Sequence, residues 1–241
     1  MKSIFISQGF VKNESFISHD EAMYLREIYD NLLKDDDKTK GFRSDLSGKK
    51  TDNQVEKITQ IMRPSLLAPK LKESYTYKHA LKTVKKLLGD DMELDFDMLI
   101  NKAPNTNTET PWHQDAAYWI KMPDKRAVSI WIALDDVYEE NGCMWFIPKN
   151  KNQEIIEHKA MPNGGALYCE VNNVNAIPIP LPIGGCTFHD GFTFHYSKGN
   201  ITESQRRALI LNFRSKKMIE LERKMGVDHT GKREIRNKKG S

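Results

Sequence analysis

Apolar and polar positions divide the chain into a helix-patterned first part and a strand-patterned second part, with the change near residue 92. After Ser18, the positions Leu25, Ile28, Tyr29 and Leu32 recur at the three- and four-residue spacing of one helical face, and Ser18 with Glu21 has the form of a capping box. Val55, Ile58 and Met62 predict a second helix before Pro64. Leu71, Tyr75, Val84, Leu87 and Leu88 predict a third, opening after Pro69 and stopping near Gly89. Residues 1–12 read as a short strand. The charged run D-D-D-K-T-K and the turn-rich G-F-R-S-D-L-S-G-K-K-T-D-N read as a solvated loop, and residues 34–53 are long enough to form a flap over a site.

From Met92 the period becomes two, with Leu94, Phe96 and Met98 alternating with polar neighbours. Further strand-like stretches are P-W-H-Q-D, A-V-S-I-W-I-A-L-D-D, C-M-W-F-I-P, A-L-Y-C-E-V, C-T-F-H-D, F-T-F-H-Y and R-A-L-I-L-N-F-R, divided by Gly, Pro, Asn and Asp turns. About eight such strands suit a double-sheet jelly roll. I-P-I-P-L-P-I-G carries proline at alternate positions and therefore belongs at a sheet edge or in an extended connector. The expected organisation is one domain over 1–241, mainly β with flanking helices: a mostly helical part (1–91), a jelly-roll core (92–214), and a C-terminal extension (215–241). That extension ends in the basic tail K-R-E-I-R-N-K-K-G-S.

Composition narrows the function classes. The 241 residues carry 37 basic and 33 acidic side chains, a net charge of +4, which gives no electrostatic reason to expect nucleic acid or an acidic membrane as partner. No apolar run has the length of a membrane span, and the first residues lack the apolar core and cleavage site of a secretory signal. Cys143, Cys169 and Cys186 are an odd set in apolar surroundings, as expected of reduced core thiols in a cytoplasmic protein.

The chemistry concentrates at P-W-H-Q-D. Residues i and i+2 of a strand project from the same face, so the His113 imidazole and the Asp115 carboxylate are expected to share one space. A second histidine would complete the facial set of two histidines and one carboxylate that suits non-haem Fe(II), and His195 in F-T-F-H-Y is the best candidate. His189 lies six residues before it and reads as a neighbouring or core histidine. His79, on the third helix, reads as structural or exposed, and His19, His158 and His229, in helix-cap or loop settings, have no partner pattern. Arg206 and Arg207 open the final strand-like stretch, where a planar guanidinium would suit a dicarboxylate. Neighbours on a strand point to opposite faces, so both cannot enter the barrel.

Together, P-W-H-Q-D-A-A-Y-W, S-I-W-I-A-L-D-D-V, E-N-G-C-M-W-F-I-P, G-G-C-T-F-H-D-G and F-H-Y-S-K-G-N-I-T-E-S-Q-R-R-A-L resemble the phytanoyl-CoA dioxygenase family of Fe(II)- and 2-oxoglutarate-dependent oxygenases, over about residues 92–214. The resemblance implies a double-stranded β-helix with iron on His113, Asp115 and His195. It also implies that Arg206, eleven residues after His195, binds the far carboxylate of 2-oxoglutarate, and that Gln114 and Trp131 line the co-substrate pocket. O₂ is the remaining co-substrate, and a small molecule of unspecified identity the primary one. With Asp115 present, hydroxylation is implied rather than halogenation.

Two departures fall where substrate is expected. The chain reads P-K-N-K-N where many members have P-G-S-H, and Tyr196 follows the distal histidine where a glycine is usual. Trp119 is the tryptophan expected to face the substrate. A non-catalytic jelly-roll binding module and an oxidative demethylase of nucleic acid are the rival readings. A pure binder needs neither a complete triad nor the downstream arginine, and the charge balance disfavours the second.

Overall fold

A computed structural model of the chain describes residues 1–48, 55–119, 123–150, 153–162, 165–172 and 175–230. The first part contains helices α1 (Lys2–Gln8), α2 (His19–Lys34), α3 (Asp36–Thr39), α4 (Pro64–Leu67), α5 (Lys70–Glu73) and α6 (Tyr75–Leu88), interleaved with strands β1 (Phe10–Asn13), β2 (Arg43–Asp45) and β3 (Ile58–Met62). Ten strands follow. They are β4 (Met92–Lys102), β5 (Thr110–His113), β6 (Ala127–Ala133), β7 (Met144–Phe146), β8 (Lys159–Ala160), β9 (Leu167–Tyr168), β10 (Ile177–Ile179), β11 (Cys186–His189), β12 (His195–Ser197) and β13 (Arg206–Ser215). Helix α7 (Lys216–Lys224) comes last.

The strands form a seven-stranded sheet in the order β1-β11-β6-β13-β4-β3-β2, a four-stranded sheet in the order β10-β7-β12-β5, and the β8-β9 pair. All pairings are antiparallel. This is the double-stranded β-helix, or cupin-like jelly roll. The proline-spaced stretch supplies β10 at an edge of the smaller sheet, where a strand tolerates lost N–H donors.

Strand alternation builds two cores from one large sheet. Ile61, Leu99, Ile130, Ile132, Leu209, Leu211 and Phe188 pack outward against Leu25, Tyr29 and Leu32 of α2 and Ala80, Val84 and Leu87 of α6. The opposite face, with Ile58, Ile100, Trp131, Ala133 and Ala208, meets Met144, Phe146 and Ile179 of the smaller sheet. Both faces of β13 are therefore buried, and its ladder to β4 and β6 runs through the centre of the fold.

A β-bulge interrupts this alternation. Asn212 pairs with Phe96 and Phe213 with Leu94, so Asp95 is the extra residue and the side-chain parity of β4 changes there. Leu94 consequently packs on the helical side, whereas Phe96 and Met98 face the interior between the sheets. The expectation that all three share one face is corrected by that single residue.

Other local expectations also change. Residues 58–62 form a strand with every residue buried, not a helix, because they pair with β2 on one side and β4 on the other. A short apolar run does not distinguish the two states, and the sheet decided. Residues 1–12 begin as helix α1, closed by Gly9 at φ 82°, before β1 joins the edge of the large sheet. The expected charged loop contains the short helix α3, capped by the Asp35 side chain accepting from Lys38 N. Of the proposed flap, residues 49–53 lie outside the described residues, as does the basic tail from 231 onward. Ser18 caps α2 by accepting from Glu21 N, but the Glu21 carboxylate accepts from Thr76 instead of closing a capping box. α6 ends at Gly89 as expected, whereas the single helix expected after Pro69 is broken at Ser74 into α5 and α6, where the Ser74 side chain starts a new helix by capping Tyr77 N. No described helix is long and apolar enough to cross a membrane.

Candidate active site

β5 and β12 are neighbours in the smaller sheet, and their pairing puts His113 opposite His195. The two imidazole centroids are 4.1 Å apart. β5 ends at His113, and Asp115 opens a 3₁₀ turn over Asp115–Tyr118. Asp115 Oδ1 lies 3.9 Å from His113 Nε2 and 3.6 Å from His195 Nε2. One donor atom from each of the three residues falls within 4.8 Å of the others. All three are enclosed by the walls of one cavity.

Each histidine is fixed from behind. His113 Nδ1 is 2.7 Å from Pro111 O and His195 Nδ1 is 2.9 Å from Thr193 O. A carbonyl only accepts, so each Nδ1 carries the proton and each Nε2 lone pair faces the shared space. That is the tautomer a metal ligand needs. Burial lowers both imidazole pKa values, that of His195 strongly, with His113 adding to the effect on His195. The Asp115 carboxylate is tied by its other oxygen. Oδ2 accepts from Ser129 Oγ at 2.8 Å and lies 3.4 Å from His189 Nε2, which leaves Oδ1 toward the histidines. Burial alone would raise the pKa of Asp115. Hydrogen bonding from His189 and the electrostatic influence of His195, His189 and His113 outweigh it and hold the carboxyl well below its ordinary range.

Strand alternation brings Arg206, Ile210 and Asn212 of β13, Ser129 and Trp131 of β6, and Gln60 of β3 to the same cavity. Arg206 is 1% exposed, and its Nε and NH1 have no hydrogen-bond partner among the described residues. Its guanidinium lies 5.2 Å from the Trp131 ring centroid. Burial lowers its pKa to about 10, still far above neutrality, so it is a buried cation. A cation left without acceptors in such a place is costly unless an anion joins it. Arg207 has the opposite surroundings. Its Nε and NH2 each lie 2.9 Å from an Asp135 oxygen, and NH1 lies 2.9 Å from both oxygens of Asp30.

Gln114 does not line the cavity. Between two inward residues it points the other way: Nε2 donates to Glu154 O and Phe192 O at 2.9 and 2.8 Å, and Oε1 accepts from Ile156 N at 3.0 Å. It pins the 154–156 loop, which corrects its expected place beside the co-substrate. His158 and His229 also gain partners unforeseen in the sequence, through Gln114 N and Glu222 respectively. Ser129 and Asn212 went unrecognised as site residues, although each is a lone polar position in an apolar strand, the signal of a buried hydrogen-bonding role.

The remaining walls are aromatic and apolar. Trp119 lines the cavity beside Gly191, where an added Cβ would lie 2.1 Å from its ring, so this turn requires glycine. Tyr196, at the usual glycine position, also lines it, stacked on Trp112 at 5.2 Å and donating to Glu109 Oε2. Lys149 of P-K-N-K-N pairs with Asp190. The three cysteines are buried and unpaired.

The donor set suits Fe(II), with neutral imidazoles and a carboxylate on one side of a cavity and open space on the other. The orphaned Arg206 nitrogens suit an anionic co-substrate.

Comparison with known proteins agrees with this geometry. The family model Phytanoyl-CoA dioxygenase matches residues 5–208. A phytanoyl-CoA dioxygenase domain-containing protein 1 from Bos taurus is 30% identical over 142 residues, covering 55% of this chain and 49% of the relative, so the match spans about half of that protein's length. A phytanoyl-CoA dioxygenase from Arabidopsis thaliana is 25% identical, covering 86% of this chain and 85% of the relative. Among solved structures, EvdO2 from Micromonospora carbonacea var. aurantiaca, in complex with 2-oxoglutarate, superposes with a TM-score of 0.74 at 27% identity over 89% of each chain. The chain belongs to the phytanoyl-CoA dioxygenase family of Fe(II)- and 2-oxoglutarate-dependent oxygenases.

Proposed function

We propose that this chain is an Fe(II)- and 2-oxoglutarate-dependent dioxygenase that hydroxylates a C–H bond of a small-molecule substrate, releasing succinate and CO₂. The carrying observation is the buried Arg206, whose Nε and NH1 have no hydrogen-bond partner among the described residues, in the same cavity as the His113, Asp115 and His195 donors. In this reading the three donors hold the iron. Arg206 pairs with the distal carboxylate of 2-oxoglutarate, and Trp131 braces its guanidinium. When bound, the iron and 2-oxoglutarate activate O₂ and supply the oxidant for the C–H bond.

The protein's own part is orientation and exclusion of water. The Nδ1 hydrogen bonds aim both imidazoles, and Ser129 turns one Asp115 oxygen away so that the other faces the histidines. Ile100, Met98, Ile210 and Met144 keep the surroundings dry, which strengthens the pairing of Arg206 with a carboxylate. With the carboxylate ligand present, hydroxylation is favoured over halogenation. The three buried free cysteines support a cytoplasmic setting.

The test is to add 2-oxoglutarate to the Fe(II)-loaded protein under anaerobic conditions and look for a visible metal-to-ligand charge-transfer band. Succinate release is then followed on admitting O₂. Iron bound without the band and without succinate would leave a jelly-roll binding module.

A further inference from the structure

Next to the cavity lies a cluster of buried charge. The bulge at Asp95 accompanies close approach to Arg214 of β13 and to Glu222 of α7, and the side chains of all three are 0% exposed. Arg214 Nε is 3.2 Å from Asp95 Oδ2. Its NH1 is 2.9 Å from Glu222 Oε1, an ion pair. Arg223 pairs with Asp95 as well, and His229 Nε2 lies 2.7 Å from Glu222 Oε2. Asp95, Glu222 and His229 bring donor atoms within 4.8 Å of one another, but two guanidiniums already balance the two carboxylates and oppose a metal cation there.

Buried ion clusters are a weak source of stability compared with apolar packing of the same volume, so the contacts of this one toward the cavity carry more information. The Arg214 guanidinium lies 3.9 Å from the Trp119 ring centroid. Arg214 Nε also donates to Asn212 Oδ1 at 3.3 Å, Asn212 Nδ2 donates to Ser129 Oγ at 2.8 Å, and Ser129 Oγ donates to Asp115 Oδ2 at 2.8 Å. The His229 ring stacks on Phe96 at 4.3 Å. Trp119, Asn212, Ser129 and Phe96 all line the cavity. A continuous run of contacts thus leads from the C-terminal segment to the carboxylate and to two cavity walls.

We propose that Arg214 is a positioning residue through which the C-terminal segment, residues 216–230, orients Asp115 and holds Trp119 at the cavity. The first part rests on the reading of Asp115 as an iron ligand. The second part does not.

The test uses the full chain with Arg214→Lys and Asn212→Ala, and with Arg207→Lys as a control on the outer face of the same strand. Anaerobic Fe(II) titration of metal-free protein reads the orientation of Asp115. Arg214→Lys and Asn212→Ala are each expected to weaken Fe(II) binding by about 10-fold or more, the usual effect of removing support behind a ligand, with Arg207→Lys unchanged. Acrylamide quenching of the metal-free protein, taken as the difference between each variant and its Trp119→Phe partner, reads Trp119. It is expected to rise in Arg214→Lys and to stay constant in Arg207→Lys and Asn212→Ala. A folded Arg214→Lys protein with wild-type iron affinity and wild-type shielding of Trp119 would overturn the proposal. If Arg214→Lys does not fold, wild-type iron affinity in Asn212→Ala overturns the orienting role. If the unmodified protein binds no iron, the ligand reading fails instead, and the quenching comparison still decides whether Arg214 holds Trp119.

Discussion

His113 and His195 face each other across the β5–β12 ladder, 4.1 Å between ring centroids, each with Nδ1 at the carbonyl oxygen two residues before it. Two histidines distant in sequence are thereby held by one rule: a strand residue whose ring turns back to its own backbone presents Nε2 outward. The Asp115 carboxylate closes the third side.

Replacing either histidine by alanine is expected to abolish stoichiometric Fe(II) binding and to leave the fold intact, since the core is carried mainly by apolar residues of both sheets. Anaerobic iron titration together with circular dichroism checks this. Full iron occupancy in both variants would remove these residues from the metal site.

Arg206→Ala is expected to raise the apparent KM for 2-oxoglutarate by about 30-fold to several hundred-fold, the roughly 2–4 kcal/mol of a charge-assisted bidentate contact, with iron binding unchanged. Arg207→Ala has a different expected effect. Its loss leaves Asp135 without its bidentate partner, so the protein should lose about 1–3 kcal/mol of stability, discounted for the partial exposure of Asp30, with KM unaltered. Steady-state kinetics and urea unfolding on both variants separate these roles, and the reverse pattern would transfer the carboxylate to Arg207.

Gln114→Leu is expected to remove three hydrogen bonds to the backbone of the 154–156 loop and of Phe192, with a cost of roughly 1–3 kcal/mol where a group is left buried and less at Glu154 O, which keeps Gln153 Nε2 as a donor. Faster proteolysis within this loop, with an unaltered KM for 2-oxoglutarate, is the expected signature. A large rise in KM at full stability would return Gln114 to the co-substrate pocket.

The Asp95 cluster sets an acid limit on stability. Burial alone would raise the pKa of Asp95, but hydrogen bonding with His229 and the charges of Arg214, His229 and Arg223 hold it at about 2, against an ordinary value of 3.8. The Glu222 pKa is lowered in the same way, despite burial, by His229 and Arg214. A depressed carboxylate favours the folded state when ionised, so its contribution is complete above about pH 4 and is lost as pH falls toward 2. For Asp95 alone this amounts to roughly 2 kcal/mol. Urea unfolding between about pH 5 and pH 2 is expected to show the loss, with a shallower slope in Asp95→Asn. An equal slope in that variant would assign the acid sensitivity to other carboxylates.

What the sequence determined by itself is local in origin. The face of α2, the cap at Ser18 and the stop at Gly89 depend on spacing and on single-residue backbone preference, and each matches the structure, whereas of the face expected for the third helix Tyr75 is exposed and Leu71 belongs to α5. The period of two after residue 92 already put Arg206 and Arg207 on opposite faces, because a strand leaves no other choice. His113 and Asp115 were legible as a pair from their two-residue separation, but β5 ends at His113 and Asp115 opens a 3₁₀ turn, so strand alternation alone does not place the carboxylate. Tertiary structure decided whatever depends on a distant partner. Residues 58–62 are a strand because β2 and β4 flank them, and Arg206 rather than Arg207 is the inward arginine because Asp135 and Asp30 stand on the other side. The bulge at Asp95 is one unpaired residue in a long ladder, so no periodicity announces it, yet it separates Leu94 from Phe96 and Met98. Gln114, His229 and Asn212 have partners 40, 7 and 83 residues away at the contacts that define them, and only the folded chain brings those groups together.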